Sequence, residues 1–182
     1  MKILAVCPSI YPEKYVKMSN SFDITASKYT KIEFYSHGTV TEAINKIFNN
    51  NPNYDFYFIA NDDIIFETPL WDLNLAKKGK ITYGADGIQN ERLCTFPMID
   101  GDIVRALGWL QVPFLTKYSG DQAWMLIGKM LNILEYHPEV KITHKWEGWD
   151  EKLGIEDLKR INEWANTTMK NDIEKVRKVL NG

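Results

Sequence analysis

Asn61-Asp62-Asp63 ends an apolar run, Phe56 to Ala60, and the chain turns apolar again at Ile64-Ile65-Phe66. Two acids at the end of a buried strand are costly unless something uses them. A carboxylate pair at the C-terminal edge of a parallel sheet stands where open α/β folds bind ligands, and its hard oxygens suit Mg²⁺ or Mn²⁺. A solvated turn accounts for the same residues, since Asn and Asp favour turns. Other residues with chemical capacity are scattered along the chain: His37 in Ser36-His37-Gly38, Asp86 in Gly84-Ala85-Asp86-Gly87, Asp100-Gly101-Asp102, Asp121 and His144. Each has an ordinary explanation beside the functional one. Turn chemistry covers His37 and Asp86, helix capping covers Asp100 to Asp102 and Asp121, and a lone His at a strand end is commonly structural.

The elements that would carry these residues follow from periodicity. Ile3-Leu4-Ala5-Val6-Cys7 reads as a short buried strand that Pro8-Ser9 ends in a loop. Tyr11, Tyr15, Met18 and Phe22 fall at helical spacing, with Pro12 suited to a first helical turn. Lys31 to Tyr35 alternates as a second strand. Thr39-Val40-Thr41-Glu42 has capping-box spacing ahead of a helical face formed by Val40, Ala43, Ile44, Ile47 and Phe48. The helix returns the chain to the acidic strand, and this strand–helix alternation predicts a mostly parallel sheet with helices on its faces. Next come a short irregular or helical piece around Trp71 to Ala76, a strand at Ile81 to Tyr83, and a strand over Arg92 to Met98. A helix opens at Asp100-Gly101-Asp102, a loop fills 111–120, and a strong helix starts at Asp121. A strand over Glu139 to Thr143 delivers His144. Beyond Trp149 the pattern is helical to the end, with an interruption at Asn166-Thr167-Thr168. Its apolar stripe, Leu158, Ile161, Ala165, Met169, Ile173, Val176 and Leu180, is expected to pack on the domain, with homodimerisation and membrane-surface docking as alternatives.

At 182 residues and 45% hydrophobic composition the chain can bury a substantial core and does not read as disordered. A net charge of −2 gives no electrostatic sign of a nucleic-acid surface. Cys7 and Cys94 match no metal-ligand spacing and read as reduced thiols, which points to the cytoplasm. Residues 3–7 are too short for a signal-peptide core, and no stretch approaches a transmembrane span.

Taken in order, these features resemble a compact GT-A glycosyltransferase. The resemblance runs from Ile3 to about Trp146. It rests on Pro8-Ser9 after the first strand, Asn45 in the helix before the acidic strand, and Asn61-Asp62-Asp63. It continues through Gly101-Asp102 with Arg105-Ala106-Leu107-Gly108-Trp109, then Gly120-Asp121-Gln122-Ala123-Trp124, and ends at His144. It implies a GT-A-like α/β catalytic domain over 1–150 with a helical extension over 151–182. It also implies a nucleotide-sugar donor and an acceptor hydroxyl on a glycan, lipid-linked sugar, protein or modified nucleic acid. In that family the acidic motif is usually Asp-any-Asp, and its last acid helps hold a divalent metal on the donor diphosphate. Asp63 matches that acid, while Asn61 stands where the first Asp is usual. The resemblance further makes His144 the histidine that completes a Mn²⁺ or Mg²⁺ site, and Asp121 the acceptor-side base of an inverting transfer. Pro8, Ser9, Asn45, Asn61 and Asp62 become donor-binding residues. Two readings compete with this one. A nucleotidyltransferase would want a glycine- and lysine-rich phosphate loop that Pro8-Ser9-Ile10-Tyr11 does not supply. A non-catalytic α/β binding module would use the C-terminal helix for assembly.

Overall fold

The computed structural model describes residues 1–9, 12–145, 148 and 150–182. Tyr11, Trp146 and Trp149, invoked above, lie outside the described residues, as does Ile10. The fold is α/β. Its strands are β1 (Ile3–Pro8), β2 (Thr30–Tyr35), β3 (Phe56–Ile59), β4 (Ile64–Phe66), β5 (Ile81–Ala85), β6 (Met98–Asp100) and β7 (Leu134–His144). They form one 7-stranded sheet in the order β2-β1-β3-β6-β5-β7-β4. The helices are α1 (Pro12–Thr25), α2 (Val40–Asn50), α3 (Trp71–Leu75), α4 (Gly101–Leu107), α5 (Gly120–Leu131), α6 (Glu151–Thr167) and α7 (Met169–Leu180).

Strand alternation divides the core between the two faces of the sheet. Ile3, Ala5 and Cys7 of β1 join Phe56 and Phe58 of β3 on the face covered by α1 and α3, with Met18, Phe22, Trp71 and Leu75. Leu4, Val6, Tyr57 and Ile59 point the other way and meet Ile44, Ile47 and Phe48 of α2, Ile103 of α4 and Trp124 of α5. The period of two that marked these strands in the sequence is the period that fills both layers. The capping box at α2 is present in both directions. Thr39 Oγ1 accepts the Glu42 N–H at 3.2 Å and Glu42 Oε2 accepts the Thr39 N–H at 2.7 Å.

The sheet is mixed rather than mostly parallel. β1, β2, β3, β5 and β7 run one way, while β6 is antiparallel to both β3 and β5, and β4 is antiparallel to β7. The strand expected over Arg92 to Met98 begins only at Met98. Asn90–Arg92 is a 3₁₀ turn instead, and Phe96 has φ 51°, a left-handed conformation that no strand continues through. β7 starts at Leu134, well before Glu139, because a bulge moves its partner residues from Gly84↔His137 to Ala85↔Lys141. A Cβ at Gly84 would collide with the Val140 carbonyl, so the bulge needs glycine there.

One link imposes a shape on the sheet. β3 and β4 are separated by three strands in the order, and in a flat sheet that is roughly 19 Å. The chain from Ile59 to Ile64 reaches only about 18 Å fully stretched, yet it contains a turn at Asp62–Asp63. The sheet therefore curls, bringing the two strands' inner faces together. Phe58 of β3 lies 5.9 Å from Phe66 of β4 and 4.5 Å from Trp71, centroid to centroid.

The C-terminal stripe turns inward, as expected. Ile161 and Trp164 of α6 and Ile173 and Val176 of α7 are buried in the cluster that also holds Trp109 and Trp124, while Leu158 stays exposed. Thr168 forms the predicted interruption. Cys7 and Cys94 are buried free thiols, and burial, first of all, holds both well above the ordinary thiol range. Among the described residues no helix is long and apolar enough to cross a membrane.

Candidate functional site

Strand direction gathers the candidate residues. Because β1, β2, β3, β5 and β7 run together, Pro8-Ser9, His37, Asn61-Asp62-Asp63, Asp86 and His144 all emerge at one edge of the sheet. β6 runs against them, so Asp100-Gly101-Asp102 falls at the opposite edge. There Asp100 caps α4, its Oδ1 accepting the Asp102 N–H at 2.8 Å, and Asp102 pairs with Arg105 at 2.5 Å. Capping is the role the structure shows for this acidic triplet. Arg105 donates to the Pro52 and Tyr54 carbonyls, which holds it at the opposite edge, ahead of β3.

At the site edge, backbone hydrogen bonds link three strand ends. The His144 N–H donates to the Asp86 carbonyl at 2.9 Å and the Lys145 N–H to the Asp63 carbonyl at 2.7 Å. His144 is thereby held between the two acids. Its Nε2 lies 3.3 Å from Asp63 Oδ2, and Phe96 packs edge-on against its ring at 5.0 Å. Asp63 Oδ1 is buried without a hydrogen-bond partner. A buried carboxylate with Oδ1 unpartnered and Oδ2 beside an imidazole nitrogen offers the oxygen and nitrogen donors that a divalent cation takes. Among the described residues no group of three or more such side chains surrounds a common point. Two protein ligands still suffice for Mg²⁺-like ions, which commonly take their remaining oxygens from water and substrate phosphates.

Beside this pair opens a cleft of about 440 Å³. Pro8, Ser9, Asn61, Asp62 and Asp63 line it, together with the turn at His37 and residues 116–118. Ser9 Oγ donates to Asp62 Oδ2 at 2.7 Å, tying the first strand end to the acidic link. Asn45 is not among the residues lining the cleft. Its amide donates to the Gln111 carbonyl at 2.7 Å and its oxygen accepts the Leu110 and Gln111 N–H groups at 2.9 Å, so it fastens α2 to the loop before α5.

Asp121 stands in the first turn of α5, two residues after the cap position, Ser119, and its Oδ1 accepts the Gln122 N–H at 2.8 Å. Burial pushes its carboxyl up to about 6, and the negative charge of Asp86 adds to the rise. The Gln122 N–H, its own N–H and the charge of His144 act in the opposite direction. The four groups Asp63, Asp86, Asp121 and His144 therefore belong to one electrostatic neighbourhood. Asp86 is the member for which the sequence offered a turn and a place near Asp62 and Asp63 with equal weight. Its Oδ1 accepts the N–H groups of Ile88, Gln89 and Asn90, as a turn acid would, while its buried Oδ2 has no partner.

Gly120 sets where Asp121 begins. A Cβ there would run into the buried Gln111 side chain. Gly120→Ala is expected to cost about 1–3 kcal/mol by overpacking, measured by chemical denaturation, and Gly120→Ala with Gln111→Ala should recover part of that loss.

No protein-family model matches the chain, and no curated protein matches it.

Proposed function

We propose that the protein is a metal-dependent glycosyltransferase with a GT-A-like domain, moving a sugar from a nucleotide-diphosphate donor to an acceptor hydroxyl. The observation that supports this best is the pairing of Asp63 with His144 at the sheet edge, with the carboxyl of Asp121 within electrostatic reach of His144; of the three, Asp63 lines the cleft. A carboxylate shifted to about 6 is poised to take a proton near neutral pH, as an acceptor hydroxyl attacking an anomeric carbon requires. Asp63 and His144 would hold the Mn²⁺ or Mg²⁺. When bound, the ion supplies positive charge to the leaving diphosphate. Pro8, Ser9, Asn61 and Asp62 shape the donor side of the cleft, with Ser9 fixing Asp62, and Asn45 supports them indirectly by anchoring the 110–111 loop.

A ligand that binds only the folded protein raises its melting temperature. Mn²⁺ with a nucleoside diphosphate at about a hundred times its dissociation constant should add about 2.7 kcal/mol, or about 5–10 °C for a chain of this size. A screen of UDP, GDP, ADP, CDP and TDP with and without Mn²⁺ tests this. No shift with any of them would sink the proposal.

A further inference from the structure

One stretch of the cleft wall is built by a residue far from it in sequence. Asp157 of α6 is fully buried, and its carboxylate accepts three consecutive backbone N–H groups: Thr116 at 3.0 Å, Lys117 at 2.8 Å and Tyr118 at 2.9 Å. Arg160 completes the arrangement. Its Nη1 lies 3.2 Å from Asp157 Oδ1 and donates to Thr116 Oγ1 at 2.8 Å and to the Phe114 carbonyl at 3.3 Å. The loop is fastened on two further sides. The Thr116 carbonyl accepts the Thr41 N–H of α2 at 3.3 Å, and the Tyr118 hydroxyl accepts the Asp150 N–H at the cap of α6 at 2.8 Å.

With these amides committed to Asp157, the charged group that the loop offers is the ammonium of Lys117. Lys117 is exposed, its Nζ is 5.1 Å from the Tyr118 ring centroid, and its residue lines the cleft with Asp62 and Asp63. Lys117 is the cationic Lys or Arg among the described lining residues. A diphosphate entering beside two carboxylates meets repulsion unless cations compensate it, and a lysine at a fixed wall does so as a point charge.

We propose that Lys117 binds the diphosphate of the donor and that Asp157 is the positioning residue that holds it there. This rests on the nucleotide-diphosphate reading above. Calorimetric titration with pyrophosphate in the presence of Mn²⁺ tests it on the full chain. Lys117→Gln, an exposed change, should leave the melting temperature unaltered and weaken pyrophosphate binding by about tenfold or more, with a shallower dependence on salt. Asp157→Asn should weaken it to a similar extent, and Lys117→Gln should add little in the Asp157→Asn background. Additive losses would overturn the positioning role. If Asp157→Asn does not fold, Lys117→Gln alone decides the binding role. Wild-type affinity in Lys117→Gln, alongside loss of binding in Asp63→Ala, would overturn the inference and leave the donor reading standing. A wild-type chain that binds neither pyrophosphate nor any nucleoside diphosphate with Mn²⁺ would overturn both.

Discussion

Asp121→Asn is expected to keep donor binding and lose sugar transfer, by about 10²–10⁴-fold if Asp121 is the general base. The same substitution should stabilise the protein. A carboxylate held near 6 in the folded chain against 3.8 ordinarily is one whose ionised form folding disfavours. That penalty is fully present above pH 6, fades as pH falls, and is gone below pH 3.8. In metal-free protein at pH 8, Asp121→Asn should therefore melt higher than wild type. The gain is on the order of 2 kcal/mol, allowing for the partial exposure of Asp121. The difference should close toward pH 4. The wild-type transfer rate should rise with pH through about 6, as the base loses its proton. Equal turnover in the two proteins would exclude Asp121 as the base, and an unchanged melting temperature at pH 8 would mean that its carboxyl is not held under strain.

The second large effect is expected at Asp63. Asp63→Ala should abolish the melting shift given by Mn²⁺ with a nucleoside diphosphate, because one of the two side chains that would hold the ion is gone. The fold itself should tolerate the change. Asp63→Ala gives up the 3.3 Å contact between Oδ2 and His144 Nε2, but Oδ1 has no partner to lose, and the backbone carbonyl that receives the Lys145 N–H is retained. Without metal, the variant should melt within a few degrees of wild type, since relief of the unpartnered Oδ1 offsets the lost contact with His144. A retained shift would place the ion elsewhere. A lost shift, with no transfer from any nucleotide sugar by the wild-type chain, would favour a binding module over an enzyme.

The layers of this fold were legible because burial on both faces of a strand leaves a period of two, as in Ile3-Ala5-Cys7 against Leu4-Val6. The capping box at Thr39 was legible because both of its bonds are local. What the pattern could not carry was strand order. Nothing in Met98-Ile99-Asp100 says that it runs against its neighbours, yet that direction sends Asp100-Gly101-Asp102 to the far edge and leaves Asp86 at the near one. The Arg92 to Met98 stretch resembled a strand because hydrophobicity reports burial and not φ, and Phe96 is buried in a left-handed conformation. The roles of Asn45 and Asp157 depend on partners 65 and 41 residues away, respectively, which no local pattern encodes.

The short link between β3 and β4 has a consequence for how such a chain can vary. Surface loops ordinarily accept added residues at small entropic cost. The Ala60 to Asp63 link instead spans a curled sheet and carries the acids at the cleft. One residue more or fewer is expected to change the curl and re-aim the carboxylates. Length at this point is thus as constrained as residue identity, and sequences sharing this architecture should place their insertions elsewhere.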